Sequence, residues 1–249
     1  MKAIQVHDVA KRFKIYYDRN RTLKERLLFR KRNRYDERWV LKDVSFDIEQ
    51  GEGGGVLQHR GPSGCGKSTT LKLLSRILFP DRGAISVNGR VSCLIELGAG
   101  FHPDMNGIEN IYLNAAMFGV GRKETGKRLD RIIAFSELEP FIENPIRTYS
   151  SGMYMRLAFS VAINVDADVL LIDEILAVGD MNFQEKCLAR LREIKECGAT
   201  IVIVSHSLGQ IEAFCGRSIW IDDGRVQADG APEETHARYA AFMNGKKSQ

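Results

Sequence analysis

Three groups of residues, in a fixed order along the chain, have the chemistry to hold and split a phosphate chain. The first is Gly61-Pro62-Ser63-Gly64-Cys65-Gly66-Lys67-Ser68-Thr69. Its glycines let backbone N–H groups curl around phosphate oxygens, Lys67 brings a point charge to the β and γ oxygens, and the Ser68 hydroxyl is placed for Mg²⁺. The second is Ser150-Ser151-Gly152, ahead of the small and apolar residues from Leu157 to Ile163. Serine and glycine there leave free N–H groups at the positive end of a helix dipole, which is an anion site. Ser150 serves equally well as a plain N-cap, and the local sequence does not choose. The third is the apolar run Val169 to Ile172 closed by Asp173-Glu174. The carboxyl end of a parallel strand faces bound ligand, so Asp173 is the second contact for Mg²⁺ and Glu174 can polarise the attacking water. His206, directly after another apolar run, has two readings: a reach to the γ-phosphate, or an ordinary structural histidine.

The elements that must position these groups follow from periodicity. Residues 4–7 and 44–48 alternate apolar and polar, as half-buried antiparallel strands do. Ser68 to Leu78 has helical spacing and stops before Pro80; the helix presents its N-terminus to the phosphates. Ile85–Gly89 and Val91–Ile95 read as a short hairpin-linked pair. From Gly98 to about Ile163 the pattern is helical throughout, with Ile108, Ile111, Tyr112, Ala115 and Phe118 on one face and Leu129, Ile132 and Ile133 on another. Val169–Ile172 and Thr200–Val204 are continuous apolar runs, expected of parallel strands covered on both faces. Between them lies a helix through Phe183, Cys187, Leu188, Leu191 and Ile194, capped by Gly198. Asp223-Gly224 joins the last two strands as a two-residue hairpin. Strand, crossover helix and strand around a glycine loop predict an α/β fold with a mostly parallel sheet.

A chain of 249 residues with 44% apolar residues can bury a full core as one α/β domain. No apolar stretch approaches the roughly 18 residues that cross a bilayer, and the first residues lack a signal-type apolar region, so the expectation is a soluble, cytoplasmic protein. Five cysteines at spacings that match no metal or redox pair read as reduced packing residues, except Cys65 in the glycine loop. The net charge of +4 is unevenly placed: Lys11 to Arg38 hold twelve Lys/Arg against four Asp/Glu, so the remainder is acidic. That basic segment suits nucleic acid, anionic lipid or an anionic polymer, or is simply a solvated helix. A guanine-reading Asn-Lys-x-Asp stretch is absent, which sets aside a GTPase switch.

Over nearly its whole length the chain resembles the ATP-binding-cassette (ABC) ATPases. In that resemblance Gly61–Thr69 is Walker A, Val169–Glu174 is Walker B, and Tyr149-Ser150-Ser151-Gly152-Met153 stands at the signature. It implies that Phe13 stacks on adenine, that Asp180 is the D-loop aspartate and that His206 is the switch histidine. It also implies a P-loop NTPase cassette with a RecA-like core (1–96 and 164–249), an antiparallel β part and a helical subdomain (97–163). A head-to-tail homodimer would hold two ATP molecules, each between one Walker A and the other chain's signature.

A narrower resemblance, to the ATPase subunits of polysaccharide exporters, rests on Leu94–Pro103, Tyr149–Ser160 and Ile172–Asp180. There Glu96 replaces the usual glutamine of the Q-loop, near the metal, and a basic insert (18–38) is typical. The implied partners are an integral-membrane ABC-2-type permease and, through it, a cell-surface glycan or lipid-linked glycan, at the cytoplasmic face of the inner membrane. The insert would lie beside lipid headgroups or the permease. Nucleic acid is not expected; an ABC-type ATPase acting on it is the alternative. One stretch departs from the pattern: residues 51–60 put glycines and polar groups where a buried apolar strand is expected, which predicts a distorted strand.

Overall fold

The computed structural model describes residues 1–16, 35–58, 67–94, 97–173, 179–205 and 208–247. Two long strands, β1 (Lys2–Tyr16) and β2 (Tyr35–Glu49), pair antiparallel, and β4 (Arg82–Val87) adds to the other edge of β1. The second sheet has the order β5-β6-β7-β3-β8-β9, from β3 (Gly53–Gln58), β5 (Val91–Cys93), β6 (Val169–Asp173), β7 (Thr200–Ser205), β8 (Arg217–Asp222) and β9 (Arg225–Gly230). Its first four pairings are parallel and the last, β8 with β9, is antiparallel. The described helices are α1 (Lys67–Leu74), α2 (Gly107–Met117), α3 (Arg122–Ser136), α4 (Ser151–Ile163), α5 (Met181–Glu196), α6 (Leu208–Phe214) and α7 (Pro232–Lys247). Among the described residues no helix is long and apolar enough to cross a membrane.

Strand period two sorts the core. Val169 and Leu171 of β6 point into a cluster shared with the antiparallel sheet and α1, including Ile4, Phe46 and Leu71. Leu170 and Ile172 point the other way, against Phe159, Phe183 and Trp220. A third cluster lies among α2, α3 and α4, around Ile111, Ile132 and Leu157. Helix α4 serves two of these cores at once, with Leu157 and Val161 in the helical one and Phe159, Ala162 and Ile163 against the sheet.

Several expectations need correction. Among the described residues, 85–89 and 91–94 do not pair with each other: β4 runs beside β1, and β5 runs parallel to β6. The link between them is a crossing point rather than a hairpin. Gly89 has φ +103°, a Cβ there would lie 2.5 Å from Asp168 Cβ, and Asp168 accepts the Arg90 N–H at 2.7 Å, which carries the chain from one sheet to the other. Helix α1 ends at Leu74 rather than Leu78: Arg76 turns left-handed at φ 60°, Ile77 is exposed, and Leu78 folds back against the core with its N–H donating to Lys72 O at 2.9 Å. The last residues assigned to the basic insert, 35–38, belong to β2; residues 17–34 lie outside the described residues. Cys197 is exposed rather than packed, while burial pushes the Cys187 and Cys215 thiols up to about 12.

The glycine-rich segment forms a regular strand. Gly53 to Leu57 pair in register with Ile201 to Ser205, and Gly54 to Gln58 with Arg217 to Ile221. Ladders on both sides supply what the side chains do not. At Gly53 the glycine is required: a Cβ would sit 2.5 Å from Phe214 O, where the end of α6 packs and the Gly216 N–H donates to Gly53 O at 3.0 Å. The Asp223-Gly224 hairpin forms as expected, with φ 46° and 76°.

Candidate nucleotide and signature site

The phosphate end of the site is built on strand ends. Val56, Val204 and Asp173 lie level across β3, β7 and β6, so the carboxyl ends of three parallel strands open onto one edge of the sheet. Lys67 and Ser68 are the first two residues of α1, whose first turn carries no acidic side chain. The helix is fixed from below by Leu71, Leu73 and Leu74, all nearly inaccessible. Thr69 and Thr70 are buried, and the Thr70 hydroxyl has no hydrogen-bond partner among the described residues. This donor set fits nucleotide phosphates with Mg²⁺: a helix N-terminus free of carboxylates, a lysine and a serine as its first residues, and one aspartate at the strand end.

Gly61, Pro62, Ser63, Gly64, Cys65 and Gly66 lie outside the described residues, as do Glu96, Glu174 and His206. Their flanks are placed. Leu94, two residues before Glu96, is held on β6 by its N–H to Leu171 O at 2.8 Å, and α6 starts two residues after His206. Phe13 sits on the part of the β1–β2 ribbon that runs beyond β4. It is 37% exposed, lies opposite Arg38, and has the Lys11 ammonium 5.8 Å from its ring centre.

The second half of the site is a concavity of about 680 Å³ that brings Ser150, Ser151, Gly152 and Asp180 together. Ser150 is the N-cap of α4, its hydroxyl accepting the Met153 N–H at 3.2 Å, so the capping reading of this serine is realised. One cap satisfies one N–H; the others of the first turn point out of the helix start. Gly152 has no backbone need for glycine, and a Cβ there would meet only Ser150 Oγ at 3.8 Å. Among the described residues nothing fills the space in front of it.

Asp180 caps α5, accepting the Phe183 N–H at 2.9 Å. That backbone donor, and then the Arg156 guanidinium, hold its carboxyl below the usual range. Arg156 itself was not foreseen from sequence. It reaches from α4 to Asp180 Oδ2 at 2.5 Å and to Glu137 Oε2 at 2.8 Å, and its guanidinium lies 4.8 Å from the Phe183 ring centre. Glu137, in the left-handed conformation at the end of α3, also pairs with Lys186 at 2.8 Å, and that lysine holds its carboxyl low. An arginine, a glutamate and a lysine scattered over three helices leave no spacing signal; only the αL position of Glu137, a non-glycine helix end, marks the cluster as special.

Known proteins resemble this chain. Residues 41–177 match the family model described as ABC transporter. The O-antigen export system ATP-binding protein RfbB of Myxococcus xanthus is 47% identical over the whole chain, which spans 58% of that protein. The RfbB protein of Klebsiella pneumoniae is 46% identical over 82% of both, and the teichoic acids export ATP-binding protein TagH of Bacillus cereus is 38% identical over 96% of this chain and 43% of its own. Among solved structures, the ATP-binding subunit of an ABC transporter superposes with TM-score 0.73 at 23% identity, covering 96% of this chain and 93% of its own. The dimeric post-hydrolysis cassette MJ0796, bound to ADP and Pi, superposes with TM-score 0.71 at 21% identity over 92% of this chain and 98% of its own. With the fold, the strand-end site and the matched relatives in agreement, this chain belongs to the ABC transporter family as an ATP-binding cassette.

Proposed function

We propose that the chain is the ATP-hydrolysing subunit that drives export of a cell-surface polysaccharide or lipid-linked glycan through a separate integral-membrane permease of ABC-2 type. It would work as a homodimer at the cytoplasmic face of the membrane. The observation that carries this reading is the open concavity at Ser150–Gly152 and Asp180: an anion site with space in front of a glycine that no described residue of its own chain uses. A second copy, bringing nucleotide on its own α1, suits that space. The glycan rests on the relatives, whose names are those of O-antigen and teichoic acid exporters; none of those named favours the nucleic-acid alternative.

In this reading residues 1–96 and 164–249 form the core and 97–163 the helical subdomain. Lys67 and the N–H groups of Gly61–Thr69 hold the β- and γ-phosphates, and Phe13 covers the adenine. Ser150, Ser151, Gly152 and Asp180 meet the partner's nucleotide. Ser68, Asp173 and Glu96 are the residues that would hold Mg²⁺, which supplies charge neutralisation between the phosphate oxygens. Glu174 accepts the proton of the attacking water, and His206 orients the γ-phosphate. The protein's share of the chemistry is positioning and charge.

Glu174→Gln tests the assignment. Hydrolysis by the purified chain should fall by about 10²–10⁴-fold while ATP stays bound and dimers accumulate. In cells with the permease, surface glycan should be lost. Turnover equal to the parent's would remove Glu174 as the base, and undiminished surface glycan would remove the export reading.

A further inference from the structure

The segment that leaves the sheet after β5 is tied to the helices by side chains. Leu94 still belongs to the sheet, but Gly98 O already accepts the Tyr154 hydroxyl of α4 at 2.8 Å. Ala99 O accepts from Asn114 Nδ2 at 3.0 Å. Asn110 Nδ2 donates to His102 O, Met105 O and Asn106 O at 3.1, 3.0 and 2.9 Å, while its Oδ1 accepts the His102 N–H at 2.7 Å. Both asparagines are buried, so these ties are shielded from water and hold one geometry.

Tyr154 occupies a particular place among them. Gly98 has φ +75°, and a Cβ there would lie 2.5 Å from the Tyr154 ring, so the ring rests directly on the glycine. Phe101 packs against the same ring edge-on, with centroids 5.1 Å apart. On its own helix, Tyr154 is one turn beyond Ser150 and donates its N–H to Ser150 O at 2.9 Å. We propose that Tyr154 is a positioning residue for ATP-dependent pairing of two cassettes: its bond to Gly98 sets the first turn of α4, and with it Ser150–Gly152, relative to the point where the chain leaves the sheet.

This inference rests on the proposed function above. The Tyr154 ring and hydroxyl are engaged within the chain, so the residue acts through the serines and not on nucleotide. Without the bond, the first turn of α4 samples several positions, only one of which can meet the partner's nucleotide. Pairing weakens by the fraction that remains competent. For one neutral hydrogen bond that fraction corresponds to about a fivefold change.

The experiment uses the purified full chain carrying Glu174→Gln, with ATP affinity measured by calorimetry and dimerisation in saturating Mg-ATP by sedimentation equilibrium. Adding Tyr154→Phe, which keeps the ring, should weaken dimerisation about fivefold and leave ATP affinity unchanged. Thr125→Val is the control; it deletes a buried hydroxyl bond to Gly121 O at 3.1 Å within α3, and should lower the melting temperature without weakening dimerisation. If Tyr154→Phe pairs as tightly as its parent, or Thr125→Val weakens pairing equally, Tyr154 is only structural. If the Glu174→Gln parent stays monomeric in ATP, the proposed function fails first and this inference falls with it; the two failures are read from different samples.

Discussion

The two helix starts of the proposed nucleotide site are held by opposite means. The start of α1 stands on Leu71, Leu73 and Leu74, driven into the core between the two sheets. The first turn of α4 is only half-buried from Gly152 to Arg156, and polar ties fix it: the Ser150 cap, Tyr154 on Gly98 O, and Arg156 on Asp180 and Glu137. Close-packed apolar contacts leave one position, because any shift opens a void. Ion pairs and hydrogen bonds at a half-wet surface fix direction rather than volume, and each can be removed without opening a cavity. In the proposed function, packing seats α1 under the chain's own nucleotide, and directed polar bonds aim the start of α4 at the partner's.

The comparison breaks most visibly at Leu71. Leu71→Ala should cost about 2–5 kcal/mol, from lost transfer energy plus a cavity that the sheet cannot close. Denaturant unfolding measures it, and a cost under about 1 kcal/mol would show that α1 is not anchored by packing. At the other helix, Arg156→Met keeps an apolar stem over Phe183 and should cost only about 1 kcal/mol, since Asp180 and Glu137 are solvated enough to stand alone. Its ATPase rate should fall several-fold while the affinity of the monomer for ATP holds. An ATPase rate unchanged in that variant would make the Arg156 network irrelevant to the site.

The smallest effect sharpens the contrast through pH. The folded pKa of Asp180 is depressed, first by the Phe183 N–H and then by Arg156, so its contribution is complete above the ordinary aspartate range and is lost as pH falls through the lowered value. Asp180→Asn keeps a capping acceptor but cannot titrate. Melting temperatures of the two chains should therefore converge as pH is lowered from about 7 towards about 3. Parallel curves would mean that Asp180 contributes no pH dependence.

The parts fixed by apolar pattern were legible in advance: β6, β7, the helix between them and the Asp223-Gly224 hairpin all stand where the residues suggest. The family and its fold were legible too, because the glycine loop, the serine turn and the Asp-Glu strand end come in one order. Long-range pairing was less so. Val91 joins Val169 rather than Ile85, and the Asp168 carboxylate that holds the Arg90 N–H beside that pairing lies 78 positions along the chain. Strand β3 misled because glycine predicts weakness locally, whereas two flanking ladders and the approach of Phe214 O decide the matter globally. Arg156, Tyr154, Asn110 and Asn114 were invisible as site residues. A polar residue in a helical pattern reads as solvent-facing, and only the fold shows that these face carbonyls or carboxylates.

Helix α4 also bears on how the molecule comes apart. From Leu157 to Ile163 every residue is buried, with Leu157 and Val161 completing one core and Phe159, Ala162 and Ile163 another. Neither core is whole without it, which couples the helical region to the sheet. The amides of Leu157 to Ile163 should therefore be among the slowest in the chain to exchange with solvent, unlike those of the half-buried first turn.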